Sequence, residues 1–153
     1  MEWEEALAVA ALRIQRGVDY DAIAFYTCRE NQVSAKYVGG DDRSHFQSKS
    51  VRLGEGLVGW VADTGKPILN GNPAVDTGHT LDGGFASALA LPLTHANRVI
   101  GVVALYRRER DAFAADELVT LLEPCPAVAS LLLEAEEDGN PFAAQQKLAE
   151  LLA

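Results

Sequence analysis

The sequence predicts an α+β domain in which a mostly antiparallel sheet is preceded and followed by helices. Three observations predict this class: helical periodicity at the start of the chain, two pairs of apolar strands joined by short turns, and an apolar helical pattern near the end. The 153 residues, 48% of them apolar, suffice for one domain with a substantial core.

The first predicted element is an amphipathic helix. Trp3, Leu7, Ala10 and Ile14 recur at spacings of three and four residues, which places them on one helix face, and Gly17 can end the helix. That face requires an apolar partner.

A hairpin follows this helix. Residues 21–28 form an almost continuous apolar run, residues 32–38 alternate in polarity, and a short turn joins them. We expect two adjacent antiparallel strands, with Val33, Ala35 and Tyr37 on one side of the second.

The segment 51–72 is the most informative part of the chain. It is predicted to contain a strand, a glycine turn, a helix of about two turns, a second turn and another strand. The predicted bounds are 51–53 and 68–72 for the strands and 57–63 for the helix. Gly54 and Gly56 permit positive φ in the first turn, and Gly65 before Pro67 ends the helix.

The second hairpin joins strands 87–93 and 98–106. Their apolar density predicts burial on both faces, as in the centre of a sheet. With the first hairpin, they predict a sheet that is mostly antiparallel.

A helix is predicted over residues 115–134, with acidic residues in its first turn that suit the positive end of a helix. Pro124 and Pro126 each remove a backbone donor, so we expect a kink or break near Leu122.

The chain is predicted to divide after residue 135. Residues 1–135 form the domain, and residues 136–153 form a linker followed by a short amphipathic helix over 142–152. Such a tail suggests a connection to an output domain.

The two terminal helices carry more apolar surface than one sheet face requires. Val119, Leu131 and Leu133 add to the stripe of the last helix, and a dimer seam would cover the excess. Crowding within one subunit is the alternative. The residues predicted for the seam are Trp3, Leu7, Ile14, Leu118, Leu121, Leu122, Val128 and Leu132.

The charge of the chain narrows the possible partners. A net charge of −9 and a pI near 4.7 argue against a nucleic acid or an anionic membrane. The basic run Arg107-Arg108 with Arg110 is interrupted by acids, and we interpret it as a solvated strand end. The sequence shows neither a bilayer-spanning apolar segment nor a basic secretory signal, so we expect a cytoplasmic protein.

The cysteines and histidines do not suggest a metal site. Cys28 and Cys125 match neither a disulfide framework nor a metal-ligand spacing. We expect both cysteines to be small, buried apolar residues. His45, His79 and His95 show no paired metal-ligand spacing. A single histidine would still suffice as an axial haem ligand.

Five segments carry a resemblance to a known family. They are GEGLVGWVA at 54–62, KPI at 66–68, LALPL at 89–93, VIGVVALY at 99–106 and DAF at 111–113. In this order and spacing the chain, from about residue 17 to residue 135, resembles the GAF domain family of small-molecule sensor modules. Its pattern is most similar to GAF domains that precede diguanylate cyclase or histidine kinase outputs.

The resemblance implies a GAF/PAS-like fold with terminal helices on one sheet face and a pocket under loops on the other. The loop over residues 70–85 would close that pocket, above a floor that includes Trp60, Leu89 and Leu91. The predicted ligand-binding residues are Trp60, Leu69, Asn70, Asn72, Asp76, His79, Thr80, Phe85, Leu89 and Leu91. The alternative is a mobile loop over a filled core, and the sequence identifies no ligand or cofactor.

Enzymatic interpretations find less support. Residues 54–59 match a dinucleotide-binding fingerprint, but the predicted helix is too short and the strand after it ends before Asp76. Some GAF-like proteins reduce free methionine sulfoxide through loop cysteines, whereas Cys28 and Cys125 fall in a predicted strand and helix. The loop also lacks a bilin-attachment cysteine, and a cyclic-nucleotide motif is missing.

The sequence therefore predicts a non-catalytic regulatory domain of a bacterial-type signalling protein. We expect it to bind a small molecule, to form a homodimer and to control an attached output domain. Binding of a ligand, or ordering of the loop over residues 70–85, would shift the sheet. The shift would move helix 115–134 against its partner in the dimer. The alternatives are a purely structural dimerisation domain without ligand, and a redox or haem sensor that uses His79 or Cys28.

Overall fold

The computed structural model describes residues 2–40, 50–73, 85–137 and 152. Asp76, His79 and Thr80 of the predicted pocket lie outside the described residues, as does the predicted terminal helix 142–152 apart from Leu152.

The described chain contains four helices and six strands. The helices are α1 Glu2–Gly17, α2 Gly56–Thr64, α3 Ala115–Leu122 and α4 Cys125–Glu137. The strands are β1 Ala22–Arg29, β2 Gln32–Gly40, β3 Ser50–Arg52, β4 Ile68–Gly71, β5 Ser87–His95 and β6 Arg98–Arg107. The elements predicted before residue 107 are all present, with ends displaced by a residue or two.

The strands form one sheet in the order β3-β2-β1-β6-β5-β4, and every pairing is antiparallel. β1 and β6 are central, and most of their residues are buried from both sides. The predicted α+β class is therefore confirmed.

Both hairpins close with two-residue turns in the left-handed conformation. Glu30 and Asn31 have φ of 52° and 67°, and Ala96 and Asn97 have φ of 52° and 64°. Positive φ at both positions is the type I′ turn, whose twist matches that of the flanking strands. These turns fix the register of β1 with β2 and of β5 with β6.

The sheet separates two apolar cores. α1, α3 and α4 cover one face and form the three-helix core, which contains the large side chains Phe25, Leu89 and Leu105. α2 covers the other face and forms the α2 core, to which the sheet contributes mainly alanine, valine and tyrosine. The two faces thus differ in side-chain size.

A bulge in β2 places Tyr37 on the sheet face opposite to the predicted one. Val33 and Ala35 belong to the α2 core, whereas Tyr37 packs in the three-helix core with its ring centroid 5.9 Å from that of Phe25. The register shifts opposite Phe25 and Tyr26, which leaves Lys36 as an extra residue. An extra residue in a strand moves the side chains after it to the other face.

The helix predicted over residues 115–134 is divided. α3 ends at Leu122, α4 begins at Cys125, and their axes differ by 51°. Pro126 lies in the first turn of α4, where its missing N–H is tolerated. The predicted break near Leu122 is confirmed. In the described part of the chain no single helix could span a membrane, although the bent pair α3 and α4 together has the length and composition.

Most of the predicted dimer seam lies inside one chain. The buried seam residues are Leu7, Ile14, Leu121, Val128 and Leu132. Trp3 and Leu118 pack against the same three-helix core, whereas Leu122 is 49% exposed. The seam prediction is wrong for the buried residues because α1 packs on α3 and α4 of its own chain.

Candidate functional site

The short helix α2 is held close to the sheet by glycines. Gly54 and Gly56 have φ of 91° and 67°, as the sequence predicts, and Gly65 ends the helix with φ of 71°. A Cβ at Gly59 would lie 2.6 Å from the carbonyl oxygen of Arg52, so only glycine allows α2 to approach β3 this closely. Gly59 therefore sets the height of α2 above the sheet.

Beneath α2 the sheet presents a patch of small side chains, which we call the alanine floor. In the register of β1, β6 and β5, Ala24, Ala104 and Ala90 lie side by side in one row. Ala22 and Ala88 flank Tyr106 in the next row. All five alanines are at most 1% exposed and belong to the α2 core. Methyl groups leave more room above a sheet than the leucines on the opposite face would.

Two tyrosines bring hydroxyl groups into this apolar face. Tyr26 is 2% exposed, Tyr106 is fully buried, and their hydroxyl oxygens are 2.9 Å apart. In the register of β1 and β6, Tyr26 and Tyr106 lie in the rows on either side of the Ala24–Ala104 pair. The hydroxyl pair therefore lies over the alanine floor, and it brings a hydroxyl donor and acceptors to a face built mainly of apolar side chains.

Phe85 and Arg108 form one rim of this face. The Phe85 ring packs against Tyr106 with centroids 5.8 Å apart, and the Arg108 guanidinium carbon lies 4.8 Å from the Phe85 centroid. The rim thus carries a positive charge over an aromatic ring.

The residues predicted for the pocket do not all meet here. Phe85 packs against the α2 core, as a pocket on that face requires. Leu89 and Leu91 belong to the three-helix core, because alternation along β5 turns Ala88 and Ala90 toward α2 instead. Trp60 and Leu69 are each 40% exposed.

Asn70 has a structural partner. Its side-chain amide donates to the carbonyl oxygen of Phe113 at 2.8 Å, and its side-chain oxygen accepts from the Phe113 N–H at 2.9 Å. These bonds fasten β4 to the segment before α3, at a residue with φ of 60°. Asn72 is exposed.

Arg107 is also anchored, which corrects its interpretation as a solvated strand end. Its guanidinium donates to the carbonyl oxygens of Asp19 and Ala112 and to both carboxylate oxygens of Glu117, over 2.6–3.1 Å. It also lies 4.1 Å from the centroid of the Phe113 ring. The hydrogen bonds from Arg107 lower the pKa of the Glu117 carboxyl. Arg107 directly follows Tyr106, so this clamp joins the strand of the alanine floor to the start of α3.

Neither thiol is poised for chemistry. Cys125 donates to the carbonyl oxygen of Leu121 at 3.2 Å, and burial raises its pKa to about 12. Cys28 packs at the edge of the α2 core, where burial also raises its pKa. A raised pKa reduces the thiolate that would act as nucleophile or metal ligand. Among the described residues no three metal-ligating side chains gather.

Sequence reasoning missed the alanine floor, although a signal was present. Small and large residues alternate as Ala22-Ile23-Ala24-Phe25 in β1, and β5 shows the same alternation over residues 88–91. Such alternation distinguishes the two faces of a strand that is buried on both sides. The size of the apolar side chains, and not only their polarity, identifies this face of the sheet.

A small-residue sheet face under a short helix, opposite a face covered by terminal helices, defines the class of this α+β domain. The family model of the GAF domain matches residues 2–134. The chain belongs to the GAF domain family.

Solved structures share this fold. The GAF domain of a phosphoenolpyruvate-protein phosphotransferase from Coxiella burnetii is 17% identical with a TM-score of 0.72, over 90% of this chain and 86% of that chain. The type II free methionine-R-sulfoxide reductase from Thermoplasma acidophilum is 16% identical with a TM-score of 0.68, over 88% of this chain and 96% of that chain. The NreA protein of Staphylococcus aureus, mutated in its nitrate binding site, is 26% identical with a TM-score of 0.56, over 76% of this chain and 95% of that chain.

Comparison with curated protein sequences gave no significant match. GAF domains are generally regulatory or ligand-binding modules, and some proteins that share the fold are enzymes.

Proposed function

We propose that this domain is a non-catalytic sensor that binds a small molecule between the alanine floor and α2. The observation that carries the proposal is the combination of five alanines with a buried pair of tyrosine hydroxyls on one sheet face. A pocket that is mainly apolar, with a few convergent polar groups, is the usual form of a ligand site.

The chemistry of this face favours a compact ligand that accepts hydrogen bonds. Tyr26 and Tyr106 supply hydroxyl donors, and Arg108 adds a positive charge at the rim. A small oxyanion or a flat carbonyl compound fits this set.

Nitrate is the first compound to test, because the nitrate-binding NreA protein is 26% identical over most of its length. We expect millimolar sodium nitrate to shift the alanine methyl NMR signals of Ala24, Ala90 and Ala104, whereas sodium chloride leaves them unchanged. Tyr26→Phe should weaken the nitrate response because it removes one hydroxyl. Unchanged methyl signals would exclude nitrate, and native mass spectrometry of the purified protein would then search for another carried-over ligand.

A substitution in the floor separates a ligand site from a filled structural core. Overpacking a filled core costs about 1–3 kcal/mol, whereas added methyls that project into a ligand space cost little. Because Ala104 is buried beneath the tyrosine hydroxyls, we expect Ala104→Val to abolish ligand binding and to destabilise the fold less than added methyl groups in a filled core do. Ala10→Val, in the three-helix core, is the matched control and should destabilise the fold. Equal destabilisation by both variants would favour the structural alternative.

We further propose that the domain forms a homodimer in the cytoplasm and controls an attached output domain. The clamp of Arg107 on Glu117 supports such a route, because it ties the strand that carries Tyr106 to α3. A ligand that displaces Tyr106 would then move α3, and α3 could shift against a partner. The predicted ligand contacts Asp76, His79 and Thr80 belong to the same proposal.

The runner-up is a structural dimerisation domain with no ligand. A redox or haem sensor is a third candidate, because Cys28 lies at the edge of the α2 core and His79 belongs to the predicted loop. The raised pKa of Cys28 disfavours its redox use. A visible absorbance spectrum of the purified protein tests the haem candidate.

A further inference from the structure

We propose that the outer face of α1 is a self-association surface, on which two copies of the chain pair their α1 helices antiparallel with Glu5 of each against Arg16 of the other. The inference rests on the homodimer proposed above and names its face. It replaces the predicted seam, most of which is buried inside one chain.

A continuous stripe runs along the solvent side of α1. Glu5, Val9, Leu12 and Arg16 are spaced by four, three and four residues, which places them in line on one helix face. Leu12 is 63% exposed, Val9 is half-buried, and Glu5 and Arg16 are exposed. The stripe has an apolar centre with an acid at one end and a base at the other.

This stripe is complementary to itself only when the second helix runs in the opposite direction. Glu5 and Arg16 are equally far from the midpoint between residues 10 and 11, and so are Val9 and Leu12. A two-fold axis at that midpoint therefore pairs Glu5 with Arg16 twice, and Val9 with Leu12 twice.

The distribution of charge in α1 favours the same orientation. Glu4 and Glu5 lie in its first half, and Arg13 and Arg16 lie in its second. In antiparallel pairing each acidic half faces a basic half, and the two helix dipoles are oppositely directed. Parallel pairing would place like charges together in a chain whose net charge is already −9.

A groove beside the C-terminal half of α1 offers space for the partner helix. It has a volume of about 330 Å³ and is lined by Arg13, Arg16 and Gly17 of α1 and by Thr120, Glu123 and Pro124 across from them, among others. Antiparallel pairing brings the acidic first half of the partner's helix to a groove in which two arginines outnumber one carboxylate, that of Glu123.

The surface is rigid enough to serve as an interface. Ala6, Ala10 and Ile14 of α1 are buried in the three-helix core. The Tyr20 hydroxyl donates to the carbonyl oxygen of Ala11 at 2.8 Å, and this contact fixes the C-terminal half of the helix. A prearranged surface loses less conformational entropy on binding.

Charge reversal tests the pairing directly in the full chain. We expect Glu5→Arg and Arg16→Glu each to weaken the dimer by about ten-fold or more in sedimentation velocity, because both symmetry-related pairs become repulsive. The double variant restores opposite charges and should return to nearly the original affinity. Glu4→Arg, off the stripe on the same helix, is the matched control and should behave like the unmodified protein.

Cross-linking tests the direction of the helices. Glu5→Cys and Arg16→Cys, each in a Cys28→Ala background, are mixed and treated with a short thiol cross-linker. Antiparallel pairing predicts a heterodimer of the two variants, with little linkage within either variant alone. Linkage of Glu5→Cys to itself would show parallel pairing and overturn the proposal.

The outcomes separate this inference from the proposed function. A dimer that survives both charge reversals overturns the α1 face but leaves homodimerisation standing. A monomer at all concentrations overturns the α1 face and the homodimer together, while binding at the alanine floor is judged by the methyl signals alone.

Discussion

Arg107 donates five side-chain hydrogen bonds within the described part of the chain. Its planar guanidinium holds two backbone carbonyls and both oxygens of one carboxylate at the same time. An ammonium group cannot reproduce this fork. The sequence could not show the clamp, because its partners Asp19 and Ala112 contribute backbone oxygens.

We expect Arg107→Lys to lower the free energy of unfolding by about 1–2 kcal/mol, because exposed and partly buried acceptors lose their donors. Urea denaturation followed by circular dichroism measures the change. Arg110→Lys, at an exposed neighbour, is the control and should have almost no effect. Equal midpoints for the two variants would contradict the structural role of Arg107.

Glu117 makes stability depend on pH. The hydrogen bonds from Arg107 lower the pKa of its carboxyl below the ordinary value of 4.5. Its contribution is therefore complete above the ordinary pKa and is lost as the pH falls through the lowered value.

We expect Glu117→Gln to reduce stability by about 1 kcal/mol at neutral pH, a moderate value because the side chain is partly exposed. The difference from the unmodified protein should shrink toward zero in acid, as urea midpoints over a pH series will show. Asp116→Asn makes the same charge change one residue earlier and is the control. A difference that persists below the lowered pKa would argue against the ion pair as its cause.

At the scale of elements, Asn70 joins β4 to the segment before α3. We expect Asn70→Ala to cost about 2–3 kcal/mol, from two lost hydrogen bonds and a strained left-handed backbone. Asn70→Gly relieves the strain and should cost less than Asn70→Ala. Thermal unfolding of the two variants separates these contributions, and similar losses would mean that the hydrogen bonds account for the whole effect.

Gly59 controls the position of α2. We expect Gly59→Ala to destabilise the domain by about 1–3 kcal/mol, because the new Cβ would lie too close to the Arg52 carbonyl oxygen. Asp63→Ala, on the exposed side of the same helix, is the control. Hydrogen exchange should accelerate in α2 and β3 of Gly59→Ala, and exchange unchanged from the control would contradict the close approach.

The elements themselves were largely predictable, and their faces were less so. Short-range patterns predict the two hairpins and the break after Leu122, because turns and prolines act on neighbouring residues. The faces of β2 were not predictable, because the bulge at Lys36 arises from pairing with β1. The exposed positions of Trp60 and Leu69 likewise depend on how α2 and the edge strand β4 meet the rest of the fold.

At the scale of the whole molecule, the two cores protect the thiols unequally. Cys125 is 9% exposed in the three-helix core, whereas Cys28 is half-buried at the edge of the α2 core. We expect a thiol reagent at neutral pH to modify Cys28 slowly and Cys125 only after global unfolding. Mass spectrometry of the modified peptides measures both rates, with guanidinium-unfolded protein as the control. Rapid native modification of Cys28 would revive the redox candidate.

The sequence by itself determined the class of the fold, its helices and hairpins, and the family, because these depend on local periodicity and on the order of short motifs. Only the tertiary structure decided which apolar residues are internal. The sequence pattern predicts that Leu7, Ile14 and Leu132 contact a second subunit. In the structure the chain bends between α3 and α4, and all three side chains lie in the three-helix core of their own chain. The alanine floor likewise exists only where three strands align in register. Contacts between residues that are distant in sequence depend on how the elements pack. The local patterns that predict single helices and strands do not show that packing.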